Sequence, residues 1–257
     1  MKRIATAAVL IPLILFIVFS GPSWYWAFVL VVTAIGVIAL HEFDSIAAAQ
    51  GIPKGGVPAI IAGLVLMLAP EPFVIVLLTV IVAMSISLRF DLKTALAGSA
   101  SFVLGVIYIF GAWRCAVELR ALNAHWLMIA LLVSWIGDTA AYYVGRSMGK
   151  HKLAPVVSPG KTWEGAIGSA IGGAIGSVVY AHFFLATQPF WIIALIGLAA
   201  NIAGQFGDLC ESAFKRGANM KDSGTTLPGH GGWLDRIDST LFSVPTVYVI
   251  LHFSGGF

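Results

Sequence analysis

Apolar residues along this 257-residue chain fall in long unbroken runs, not in the two-residue alternation of a strand with one wet face. Runs of 17 to 23 residues recur, each long enough as a helix for a hydrocarbon core of about 30 Å. The pattern predicts about nine spans, near residues 4–20, 23–40, 56–69, 72–88, 95–117, 125–144, 164–186, 189–206 and 239–254. The third is short and lies between Pro53 and Pro70-Glu71-Pro72. It reads either as a tilted short helix or as one arm of a re-entrant hairpin. The expected fold is an all-α, polytopic transmembrane helical bundle with a polar cavity facing the cytoplasm. Residues 1–130 supply helices of general scaffold, and residues 131–257 supply helices carrying the loops 145–163 and 207–238.

Composition agrees with the pattern and narrows it. The chain is 59% hydrophobic and 11% charged, with a mean hydropathy of +0.93, whereas soluble domains carry about 25% charged residues. A transmembrane barrel would show period-two alternation, and these runs have none. Cys115 and Cys210 are too few for a metal framework or a disulfide staple. Lys2-Arg3 ahead of an apolar run imitates a signal peptide, but no small-residue cleavage site stands out, so a retained first helix is expected. With nine spans and a cytoplasmic N-terminus, thirteen of the fifteen Lys and Arg fall inside and only Arg114 and Arg120 outside. The loops 145–163 and 207–238 then share a side.

Charge changes the picture most between Gly207 and Asp238. These thirty-two residues hold five of the twelve acids (Asp208, Glu211, Asp222, Asp235, Asp238) and four of the fifteen Lys and Arg (Lys215, Arg216, Lys221, Arg236). Both signs together suit the simultaneous holding of metal ions and phosphates. Asp208, Glu211 and Lys215 recur at three and four residues, one helical face. Asp235 and Asp238 are three apart, with Arg236 between them.

Asp138 falls well inside a predicted span. A carboxylate in hydrocarbon is costly and by default functional, the alternative being a pairing with a neighbouring helix. Asn201 and Gln205 lie one turn apart and lead down to Asp208, which assigns them to the same cavity. Ser158-Pro159-Gly160-Lys161-Thr162-Trp163-Glu164-Gly165 contains a Gly-Lys-Thr that superficially suggests a P-loop. Pro155 stands where that motif needs glycine, and no strand is expected before it. A flexible turn with Lys161 at a helix start can still meet a phosphate. Glycines 165, 168, 172, 173 and 176 form a packing face. His41-Glu42-Phe43-Asp44 reads as a hydrated helix end, and Arg114, Glu118 and Arg120 as interfacial snorkelling and pairing.

In the 207–238 stretch the order of residues resembles the signature of the phosphatidate cytidylyltransferases, or CDP-diacylglycerol synthases. The residues that carry it are Ser212, Lys215-Arg216, Lys221-Asp222, Gly224, Pro228, His230-Gly231-Gly232, Asp235-Arg236 and Asp238. Gly137-Asp138, Tyr142, Gly145-Arg146 and the 158–165 passage are similar to the family as well. The resemblance covers residues 134–240 specifically and the first 130 only as hydrophobic spans.

It implies a nucleotidyltransferase joining CTP and phosphatidate into CDP-diacylglycerol, with pyrophosphate released, as a step of phospholipid biosynthesis. It further implies Mg2+, a monovalent cation such as K+ beside it, a homodimer, membrane lipid around the helices and no nucleic acid. The place implied is a bacterial inner (cytoplasmic) membrane, with the site on the cytoplasmic side. Attack on the α-phosphorus joins two anions, so charge neutralisation dominates. Asp208, Asp235 and Asp238 are then the expected metal contacts, as hard oxygen ligands. Lys215 and Arg216 join them as catalytic residues. Lys161, Thr162, Arg146, Ser212, Lys221 and Arg236 are expected at phosphate or substrate. Gly229, Gly231 and Gly232 let backbone come close to a phosphate. Asp138, Asn201, Gln205, Glu211 and Asp222 line the cavity. His230 either donates to the leaving group or fixes the loop. Two rivals are a transporter, which would place its charges at the midplane, and a CDP-alcohol phosphotransferase, whose Asp-Gly pattern Asp235-Arg236-Ile237-Asp238 does not supply.

Overall fold

The computed structural model describes residues 2–89, 91–227, 229 and 231–255, with side chains described from residue 11 onward. Its elements are α1 (Lys2–Phe19), a 3₁₀ turn (Pro22–Trp24), α2 (Tyr25–Ala49), α3 (Gly56–Leu68), α4 (Pro72–Ser87), α5 (Ala95–Gly105) and a π-helical segment (Val106–Gly111). There follow α6 (Ala112–Met148), β1 (Lys152–Ala154), β2 (Ser158–Thr162), α7 (Trp163–Phe184), α8 (Phe190–Gly217), α9 (Leu234–Ile237) and α10 (Thr240–Phe253). The architecture is all-α, with one small antiparallel hairpin pairing Lys152 with Thr162 and Ala154 with Ser158.

The expectation of about nine spans is overturned. Among the described residues four helical stretches are long and apolar enough to cross a membrane: Pro22–Ala49, Ala95–Met148, Trp163–Phe184 and Phe190–Gly217. Length is the reason for three of the expected spans. The apolar helices α3, α4 and α10 have 13, 16 and 14 residues. At 1.5 Å per residue they reach only about 20, 24 and 21 Å, short of a core of about 30 Å. The expected fifth and sixth spans fall in one helical run that turns at Asn123, whose φ of −166° and ψ of 120° leave the helical region. Counting helices therefore no longer assigns the two polar loops to one side, and their relation has to be read from contacts.

The chain forms two compact units, Met1–Val117 with Phe214–Arg236, and Glu118–Ala213 with Ile237–Phe257. In the first unit Phe110 is fully buried in a notch left by glycines. A Cβ on Gly63 would stand 2.2 Å from its ring, and one on Gly36 would stand 3.0 Å away. Arg114, expected at the outer surface, turns inward instead. It donates to the carbonyls of Leu66 at 3.2 Å, Met67 at 3.5 Å and Ala69, the open carbonyl end of α3.

In the second unit α7 shows how a membrane helix reverses the soluble pattern. Every fourth residue from Trp163 through Ile167, Ile171, Ile175 and Val179 to Phe183 is large, apolar and exposed. The stripe Gly165, Ser169, Gly173, Ser177 and Ala181 is small and buried. Small residues let backbones approach where lipid removes the hydrophobic drive between helices. A Cβ on Gly165 would lie 3.0 Å from the Ala141 carbonyl and 3.3 Å from the Gly145 Cα, so α6 and α7 cross at glycines. Asn201 of α8, 3% exposed, joins all three helices. It donates to the Val133 carbonyl at 2.9 Å and accepts from Ser169 at 3.2 Å and Gln205 at 2.7 Å.

Candidate active site

The second unit encloses a pocket of about 470 Å³. Asp138, Tyr142 and Arg146 line it from one face of α6, at intervals of four, and Lys161 and Thr162 from β2. Asn201, Gln205 and Asp208 line it from α8. Asp138 is exposed and lines this space. Arg146 donates to the Tyr142 hydroxyl at 2.6 Å. Lys161 sits on a strand and not in the flexible turn expected for it, and its ammonium meets Asp208 Oδ2 at 2.6 Å. That contact ties β2 to α8. The strand leads straight into α7, where the Thr162 hydroxyl caps the helix by accepting from the Gly165 N–H at 3.1 Å. Glu164 holds the preceding turn, accepting from the N–H groups of Lys150 at 3.1 Å and His151 at 3.3 Å.

Acids gather beside Asp208. Its Oδ1 accepts from Ser212 at 3.3 Å. Asp238 shares a hydrogen bond with the fully buried Glu211 and feels the charge of Asp208. Burial, then the negative charges of Asp208 and Glu211, push the Asp238 carboxyl well above the usual carboxylate range. Three acids gather here beside the Lys161 ammonium, and their all-oxygen donors suit a hard divalent cation. Among the described residues no group of three His, Cys, Asp or Glu side chains is arranged to hold a metal ion by itself. An ion here would complete its shell with water and phosphate oxygens, the habit of Mg2+.

The rest of the polar stretch belongs to the first unit and is built differently. Asp235, expected at the metal, has both oxygens taken. Oδ1 accepts from Lys215 Nζ at 2.5 Å, and Oδ2 accepts from the N–H groups of Ser223 at 2.9 Å and Gly232 at 2.8 Å. Burial alone would raise its pKa, but Lys215 and those N–H groups more than offset it and hold the carboxyl below the usual range. Lys215, expected among the catalytic residues, is therefore buried in an ion pair. Arg216, Lys221, Asp222 and Arg236 are exposed, and Arg216 donates to the Met220 carbonyl at 3.1 Å. Gly229 and Gly231 both adopt φ of 79°, a left-handed conformation that glycine takes without strain. His230 and Pro228 lie outside the described residues.

Sequence reasoning missed Glu42. The His41-Glu42-Phe43-Asp44 segment is no hydrated helix end, since α2 continues to Ala49 and only His41 of the four is exposed. Asp44 accepts from the N–H groups of Gly55 at 3.0 Å and Gly56 at 2.8 Å, which fixes the entry to α3. Glu42 accepts from four donors of the 223–234 segment. Two acids inside an apolar helix were the only signal, and their partners lie far along the chain.

The profile described as the cytidylyltransferase family matches residues 1–254. A phosphatidate cytidylyltransferase of Staphylococcus haemolyticus is 43% identical over 153 residues, 60% of this chain and 59% of that protein. One of Staphylococcus saprophyticus is 42% identical over a stretch covering the same shares. The matched segment thus spans under two thirds of the length of these two relatives. One of Staphylococcus aureus is 37% identical over 206 residues, 76% of this chain and 79% of that protein.

Proposed function

Because the chain belongs to the cytidylyltransferase family, we propose that it joins CTP and phosphatidate into CDP-diacylglycerol and releases pyrophosphate. The observation that carries this reading is the Lys161–Asp208 pair at 2.6 Å in the wall of the α6–α7–α8 pocket. A cation for phosphate and an acid for a divalent ion stand side by side among membrane-crossing helices. In the reaction a phosphatidate oxygen forms a bond to the α-phosphorus of CTP. The bridging bond to the β-phosphate breaks, and its electron pair leaves on pyrophosphate.

The phosphomonoester, with a second pKa of about 6, is largely ionised at neutral pH, so no general base is assigned. What the protein must do is bring anions together. Lys161 and Arg146 bind phosphate in the pocket, and Asp138, Asn201 and Gln205 form its polar wall. Lys221, Arg216 and Arg236 offer exposed cations on the loop, where Gly229 and Gly231 let backbone N–H groups approach an anion. Asp208 and Asp238 would hold Mg2+. When bound, that ion neutralises charge on the phosphates. Asp235 is assigned to the loop, because its oxygens are already hydrogen-bonded.

The same proposal places the chain in a bacterial cytoplasmic membrane as a homodimer, with the pocket open to the cytoplasm, where CTP arrives from water while acyl chains stay in lipid. The test is purified protein with CTP, Mg2+ and phosphatidate, with CDP-lipid and pyrophosphate measured together. Equal amounts of both, abolished by chelation, are expected. CTP hydrolysis without CDP-lipid would overturn the reading.

A further inference from the structure

Glu42 is 3% exposed, on the second helix of a chain whose recognisable motifs begin near residue 134. Its Oε1 accepts from the Thr226 hydroxyl at 2.5 Å and the Trp233 N–H at 3.1 Å. Its Oε2 accepts from the Ser223 hydroxyl at 2.8 Å and the Leu234 N–H at 2.8 Å. Two glycines press against the carboxylate. A Cβ on Gly224 would stand 2.8 Å from Oε1, and one on Gly232 would stand 2.3 Å from Oε2. Those contacts give a local reason for glycine at both places, independent of phosphate.

We infer that Glu42 is a positioning residue, the pin that holds the 223–234 segment, with Gly229 and Gly231 and between the exposed Lys221 and Arg236, in the shape it needs. This rests on the reading that the segment handles phosphate. Glu42 itself touches no reacting atom. Each of its oxygens faces one backbone N–H, a donor that cannot turn round, and one hydroxyl, which can. A carboxamide therefore fails in either orientation, because its NH2 must face a backbone N–H. A shorter carboxylate keeps the right chemistry with worse reach. The order of the two conservative variants thus tells acceptor chemistry from side-chain length.

The experiment pairs hydrogen–deuterium exchange over 223–234 with initial rates of CDP-lipid formation, on full-length protein in detergent. Glu42→Gln should lose protection at Trp233 and Leu234 while α7 and α8 keep theirs. Its kcat/KM for CTP should fall about tenfold to a hundredfold, the scale of buried donors left unsatisfied. Glu42→Asp should lose less in both readouts. If Glu42→Gln does not fold, Ser223→Ala/Thr226→Ala removes only the two hydroxyl donors and should give a smaller loss of the same kind. Unchanged exchange in these variants overturns the inference, as does a loosened segment with kcat/KM intact. Should wild-type protein make no CDP-lipid, the functional reading fails, while the exchange comparison still decides whether Glu42 holds the loop.

Discussion

Two groups of carboxylates share this molecule and differ in what surrounds them. Glu42 and Asp235 accept four and three hydrogen bonds from the protein itself. Asp208, Glu211 and Asp238 instead crowd together with fewer donors, Lys161 and Ser212 on Asp208 and the Ser239 N–H on Asp238, and Asp208 opens onto a pocket. A carboxylate that accepts this many bonds stabilises the shape of a loop and has little acceptor capacity left for a ligand. A carboxylate kept beside like charges costs stability in the free protein, and a cationic ligand relieves that cost. Asp238, pushed upward by burial and by its neighbours' charge, is the acid of this second kind that most resembles a functional site. Residue type is the same in both groups, so the donors around each acid decide its role.

The comparison breaks if the two groups respond alike to neutralisation. Asp208→Asn and Asp238→Asn should each lower turnover by about 10²–10³, the scale of one lost electrostatic contact to a transition state. Both should weaken the apparent Mg2+ affinity in a titration of initial rate. Asp238→Asn should also leave the unfolding midpoint in detergent unchanged or higher, because it removes a carboxyl that its neighbours already disfavour as an anion. A fall in that midpoint together with an unmoved Mg2+ titration would return Asp238 to the structural group.

Lys215→Met tests the other side. Its ammonium and the Asp235 carboxylate are 9% and 6% exposed as side chains, and stripping one partner from a buried pair costs about 3–5 kcal/mol. A loss of that order in unfolding free energy is expected, with the helices still formed by circular dichroism. The sign of the acid response follows from the lowered pKa of Asp235. A depressed carboxyl contributes stability above its ordinary pKa, and loses it as pH falls through the folded value. Lys215→Met raises that folded value, so acid unfolding should begin at higher pH. An unshifted acid midpoint would mean that Ser223 and Gly232 alone hold the carboxylate.

Much of this was legible in the chain and some was not, for reasons that lie in the residues. Apolar runs placed the helices, because burial in lipid needs little beyond length and absence of charge. The number of crossings failed in part because α3, α4 and α10 are apolar yet too short, and because the fifth and sixth expected spans fall in one helical stretch broken by a kink at Asn123. Asp138, Asn201 and Gln205, expected in one cavity from their positions on helix faces, line one pocket, together with Lys161 and Asp208. Asp235 and Asp208 could not be told apart, since the donors that saturate Asp235 are backbone N–H groups whose direction the chain order does not reveal. The same holds for Glu42, whose partners lie 181 to 192 residues away.

The smallest expected effect sharpens the pocket side of the comparison, and it concerns two glycines that the sequence treats alike. A Cβ on Gly137 would stand 2.1 Å from Asn201 Nδ2 and 2.7 Å from the Ser169 hydroxyl. Asn201 has nowhere simple to go, because it is tied to Val133, Ser169 and Gln205 at once. Gly160, by contrast, has nothing within 4 Å of an added Cβ, and its φ is not left-handed. Gly137→Ala should therefore cost about 1–3 kcal/mol, the range for overpacking a close-packed contact. Because Asn201 and Gln205 line the pocket, its activity should fall as well. Gly160→Ala should be neutral in stability, and since Gly160 also lines the pocket beside Lys161, any change in its KM for CTP reports substrate crowding and not packing. Thermal unfolding in detergent and initial rates on both variants separate the two effects. Equal stability in Gly137→Ala and wild type would show that the Asn201 network yields, and that the α6–α7–α8 crossing is looser than its hydrogen bonds imply.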